Sequence, residues 1–84
     1  MAIKPYVEFD WTTDKRDVFP TMRFIDIKTE KEAIRVIEEE CKFNQWRFSK
    51  EEWGLSIDTG EIGFGVRPDD IKRAIAANGW KIDL

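Results

Sequence analysis

The one thiol in the chain is Cys41, and a thiol does nucleophilic or redox chemistry only as a thiolate. That form needs a nearby cation or a helix N-terminus to favour it. Cys41 instead follows Glu38, Glu39 and Glu40 and falls on the apolar stripe of a helix. It reads as a buried structural residue. Histidine is absent, which removes the commonest general base and metal ligand. Carboxylates are plentiful, as Glu38 to Glu40, Glu51 with Glu52, Asp58 with Glu61, and Asp69 with Asp70. General acid and base work needs two carboxyls facing each other across a cleft, at least one of them desolvated. These sit instead where a solvated helix face, a loop, a hairpin tip and a helix N-terminus are expected. Asp58 and Glu61 have no calcium- or magnesium-loop spacing around them. Gly63-Phe64-Gly65 lies within a strand and matches neither dinucleotide- nor nucleotide-phosphate motifs. No catalysis, cofactor or metal is expected.

The remaining chemistry is recognition. Four tryptophans stand in 84 residues. Trp80 and Trp53 have structural explanations, as a helix cap and as the core-facing parity of a hairpin. Trp11 and Trp46 lie in irregular segments, Asp10-Trp11-Thr12 and Gln45-Trp46-Arg47. Exposed tryptophan and arginine are the usual anchors of protein interfaces. Trp46, Arg47, Trp11, Phe24 and Arg23 are therefore the candidate binding residues.

Composition bounds the partners. Apolar residues make up 42% and charged residues 37% of the chain, with 14 Lys+Arg against 17 Asp+Glu. That suits one folded domain, residues 1–84, rather than a disordered chain. A net charge of −3 opposes a dedicated binder of nucleic acid or anionic membrane. The first five residues lack the basic start and apolar run of a signal peptide. No stretch approaches the roughly 20 apolar residues that span a bilayer. A lone cysteine excludes internal disulfides and thiolate clusters and fits a reducing cytoplasm.

Elements can be placed from hydrophobic period. Residues 3–11 alternate, with Ile3, Val7, Phe9 and Trp11 on one side, and Pro5 suggests an edge strand. Residues 12–20 read as a polar loop ending at Pro20. Residues 22–28 are apolar on both parities, as in a central strand. Thr29-Glu30-Lys31-Glu32 is a capping box opening a helix with Ala33, Ile34, Ile37 and Cys41 inward and its end near Asn44. Residues 45–49 fit a short strand or a turn. Residues 53–58 and 62–66 alternate around a tight turn at Asp58-Thr59-Gly60-Glu61. Pro68, Asp69 and Asp70 open a second helix, Asn78-Gly79 stops it, and Trp80, Ile82 and Leu84 form a closing strand.

From residue 21 the order is strand, helix, strand, strand, helix, strand. The expected fold is α+β and ferredoxin-like, a split βαβ with an additional N-terminal strand and two helices on one sheet face. That N-terminal strand either extends the sheet or lies across its open face. The segment Ile71-Lys72-Arg73-Ala74-Ile75-Ala76-Ala77-Asn78-Gly79-Trp80-Lys81-Ile82 is similar to the last helix and strand of heavy-metal-associated domains. The resemblance implies the same fold. Such domains carry a metal-binding CxxC before the first helix, where this chain reads Lys28-Thr29-Glu30-Lys31-Glu32, so metal transfer is not implied.

The open sheet face is expected to carry Met22, Phe24, Asp26, Ser56, Asp58, Gly63 and Gly65. RNA-binding domains of the RRM type stack bases on aromatics from two central strands. Phe24 could serve on one strand, but the other offers only Gly63 and Gly65. The favoured reading is a small non-catalytic protein-binding module. It would act as an inhibitor, adaptor or regulator of a larger assembly, as phage and mobile-element accessory proteins do. The alternatives are single-stranded nucleic-acid binding on the open sheet face, or a dimeric small-molecule regulatory domain. Either a monomer or a homodimer fits.

Overall fold

A computed structural model describes residues 4–14 and 17–82, with the backbone alone at 12–14, 17 and 18. The elements are β1 (Tyr6–Asp14), β2 (Asp17–Ile25), α1 (Glu30–Asn44), β3 (Arg47–Glu51), β4 (Gly54–Asp58), β5 (Gly63–Val66), α2 (Pro68–Ala76) and β6 (Trp80–Lys81). They form two antiparallel three-stranded sheets, in the orders β1-β2-β6 and β3-β4-β5. Helix α1 packs on β1 and β3, and α2 on β2 and β6.

The fold is α+β with two helices, but its strands do not form the one sheet of the ferredoxin-like expectation. A split βαβ sheet would continue from β2 into β5. Here β2 has β1 on one edge and β6 on the other, so neither edge is open to β5. The N-terminal strand therefore extends the sheet through β2, and β1 is an edge strand as Pro5 suggests.

Residues 12–20 form no loop over their described part. Thr12 pairs with Phe19 and Thr13 with Val18, because threonine, valine and phenylalanine all suit a pleated ladder. Pro20 lies within central strand β2, opposite Trp11. It donates no hydrogen bond, but its carbonyl accepts from the Ile82 amide at 2.9 Å. Residues 15 and 16 lie outside the described residues, as do Ile3 and Leu84.

The core contains Val7, Met22, Ile27, Ala33, Val36, Ile37, Cys41, Leu55, Ile57, Phe64, Val66, Ile71, Ala74 and Ile82, with Phe24 packed against it. Burial of each large apolar side chain contributes roughly 1.5–3 kcal/mol. Met22 and Phe24 thus point inward, not to an open face. They stand opposite Phe9 and Val7 in the ladder, and paired residues share a face. Ile27 reaches the same core from the other parity because Asp26 takes φ +57°, which redirects the chain.

Helix α1 begins with one half of the expected capping box: Thr29 Oγ1 accepts from the Glu32 amide at 3.2 Å, while the Glu32 carboxylate turns to Arg35. Its inward residues are Ala33, Val36, Ile37 and Cys41, and Ile34 is partly buried. Of residues 45–49, which fit a strand or a turn in the sequence, 47–49 open strand β3, which runs on to Glu51. The turn at 58–61 closes as expected: Gly60 has φ +95° and its amide donates to Asp58 Oδ1 at 2.8 Å.

Candidate functional site

Helix α1 ends in a two-bond cap. The Gln45 amide donates to the Lys42 carbonyl at 3.2 Å and the Trp46 amide to the Cys41 carbonyl at 2.8 Å. Gln45 itself takes the left-handed conformation, φ +61°, which is the Schellman geometry. This cap turns the chain back and points Trp46 toward β1. There its ring meets Phe9 at 5.9 Å and Trp11 at 6.4 Å between centroids, both nearly perpendicular. Phe64 of β5 packs on Phe9 at 5.8 Å and on Trp11 at 5.9 Å. Edge-to-face contacts of this kind add about 0.5–1.5 kcal/mol each beyond area burial.

Two tryptophans 35 positions apart in sequence thus become neighbours. Trp46 is partly buried and Trp11 is 40% exposed. With Thr59, Glu61 and Ile62 of the β4–β5 turn they line an open concavity of about 620 Å³. The turn is hydrogen-bonded within itself. Thr59 Oγ1 donates to the Ile62 carbonyl at 3.1 Å and accepts from the Ile62 amide at 3.2 Å.

The other candidates lie elsewhere. Arg47 is exposed at the start of β3, opposite Asp58 in the ladder. Arg23 stands opposite Glu8 on β1 and binds its carboxylate through Nε at 3.1 Å and through Nη2. That hydrogen bond and charge hold the guanidinium pKa above its ordinary value. Phe24 is partly buried against the core. The site therefore joins Trp11 and Trp46, and leaves out Arg23 and Phe24.

Thr59, Glu61 and Ile62 were not among the residues expected from sequence. Their parity and turn chemistry were legible, but not that β1 would lie beside that turn.

Trp53 differs from its expected core-facing parity. It is 46% exposed in the β3–β4 turn, and its ring lies over Gly65: a Cβ there would come within 2.6 Å of the ring carbon Cζ3. The glycine alternation in β5 is thus explained at Gly65 by a ring of the same chain. The Arg67 guanidinium lies 5.8 Å from the Trp53 ring centroid.

Cys41 is fully buried. Burial, with Glu40 and Glu38 adding to it, pushes the thiol up to about 11, so it carries no thiolate at neutral pH. Among the described residues, no cluster of three or more His, Cys, Asp or Glu could hold a metal ion. No described helix is long and apolar enough to cross a membrane. Comparison with family models, curated proteins and solved structures finds no match to this chain.

Proposed function

We propose that this chain is a non-catalytic protein-binding module whose contact surface is the Trp11–Trp46 concavity. It would act as an inhibitor, adaptor or regulator, occluding a surface of a larger assembly of the kind that phage and mobile-element accessory proteins target. The observation that carries the reading is the convergence of Trp11 and Trp46 on one open, half-exposed surface. Tryptophans set in a concavity, with an apolar interior and a polar rim, are the typical anchors of binding energy. Arg47 and the acidic residues of α1 lie outside the concavity and would act in steering rather than anchoring.

The test is affinity capture by the tagged protein from host lysate, with and without nuclease, comparing wild type with Trp11→Ala. The reading expects one stoichiometric protein that survives nuclease and is lost with Trp11→Ala. A partner that vanishes with nuclease would transfer the site to single-stranded nucleic acid, because paired tryptophans also stack bases. Capture unchanged by Trp11→Ala would remove the concavity from the interface.

A further inference from the structure

We infer that the Trp11–Trp46 concavity receives a cationic side chain of its partner, an arginine or a lysine. The inference rests on the protein-binding reading and adds the chemistry of the ligand. The two indole planes meet at 76° with centroids 6.4 Å apart, which makes an aromatic corner. Each ring face carries the negative lobe of its quadrupole, and cations bind such corners. Trp46 also meets Phe9, and Trp11 meets Phe64, and both indoles line the concavity.

Charge selects the same ligand. Among the described residues lining the concavity, Glu61 is the charged one, and it has no ion-pair partner among the described residues. The Thr59 hydroxyl is directed at the Ile62 carbonyl of its own turn, so it offers no donor to an anion. A phosphate would be repelled by the Glu61 carboxylate and by any ring face it met. A guanidinium or ammonium would meet attraction from each.

The chain also follows this rule internally. Arg67 lies 5.8 Å from the Trp53 ring, Arg73 5.2 Å from Trp80, and Lys81 3.6 Å from Phe19. Among the described residues, no cation of the chain does the same for Trp11 or Trp46.

The test follows the indole N–H resonances in proton–nitrogen NMR while the full chain is titrated with N-acetyl-arginine amide. Tetramethylammonium serves as a second cation, tert-butanol as a neutral control and inorganic phosphate as an anion. The expected result is a saturable shift of Trp11 and Trp46 with both cations, with Trp53 and Trp80 unmoved. Glu61→Gln should weaken the arginine probe by about three- to tenfold, and Trp11→Ala should abolish its effect; preserved dispersion in each spectrum certifies folding. Equal shifts from tert-butanol or phosphate, or no saturable shift from either cation, overturn the inference.

Partner capture separates this failure from that of the protein-binding reading. If arginine binds but capture survives Trp11→Ala, the interface is elsewhere and the cation site stands. If Trp11→Ala abolishes capture while Glu61→Gln and both cations have no effect, the interface stands and the cation inference falls.

Discussion

Trp53 and Trp46 both stand at a reversal of the chain, each next to a residue with positive φ: Gly54 at +150° and Gln45 at +61°. The outcomes are opposite. Trp53 is the more exposed, yet its ring is spent inside the molecule, over Gly65 and beside Arg67. Trp46 is the more buried, yet with Trp11 it faces an open concavity whose charged group is a carboxylate. On the proposed reading, exposure is a poor mark of a binding residue. The better mark is whether the ring surface and its natural partner, a cation, are already joined within the chain. Phe43, 83% exposed on α1, illustrates the same limit, since exposure by itself assigns it no ligand.

The largest effect is expected where the Trp53 turn is built. Alanine at Gly54 would hold a φ of +150° and put its Cβ 2.5 Å from the Val66 carbonyl oxygen, a backbone atom that cannot swing aside. Gly54→Ala should cost about 3 kcal/mol, read as a lower urea midpoint with unchanged slope. A cost below about 1 kcal/mol would mean that the turn is plastic and Trp53 not fixed by it.

Next in size is the direct contrast between the rings. Trp11→Ala should weaken partner binding by about 2 kcal/mol, whereas Trp53→Ala should change it by less than about 0.5 kcal/mol. Titration calorimetry on the captured partner reads both. Equal losses would erase the distinction between a filled and an unfilled aromatic face.

How much of this was legible in the sequence depends on how local the cause was. The Thr29 cap, the end of α1 at Asn44, the β4–β5 hairpin and the edge position of β1 all rest on neighbours within a few residues, and each was readable. The strands through 12–20 were missed because Pro20 and the charged run 14–17 resemble a loop, while the pairing of Thr12 with Phe19 depends on a tip between them. The inward turn of Phe24 was missed because residues 22–28 are apolar on both parities, and the choice between them is made by pairing with β1. Trp11 and Trp46 were singled out by their types and settings. Their meeting, and the addition of Glu61, come from placing β1 next to a turn about 50 positions later, which no local pattern encodes.

A smaller effect is expected at Gly65. An added Cβ would lie 2.6 Å and 2.7 Å from Cζ3 and Cη2 of Trp53, at the far end of a side chain that can move. Gly65→Ala should therefore lift the ring and cost about 1 kcal/mol, with a red shift of the Trp53 emission and no change in partner affinity. If affinity fell with the lifted ring, the outer face of β3-β4-β5 would belong to the interface, and Trp53 would have to be counted with Trp11 and Trp46.

The smallest effect should be a gain. Gln45 occupies the left-handed region at the end of α1, where a side chain costs about 1–2 kcal/mol and glycine costs nothing sterically. Glycine loses more backbone freedom on folding, roughly 0.5–1 kcal/mol, so the two terms largely offset. Gln45→Gly should raise stability by about 0.5 kcal/mol, seen as a slightly higher denaturation midpoint. The cap bonds from the Gln45 and Trp46 amides involve backbone atoms only, and glycine makes both. Trp46 should therefore keep its place against Phe9 and Trp11, and partner affinity should stay as it was. A more stable variant that bound less well would show that the Gln45 side chain itself touches the partner, and that the binding surface extends past Trp46 onto the helix end.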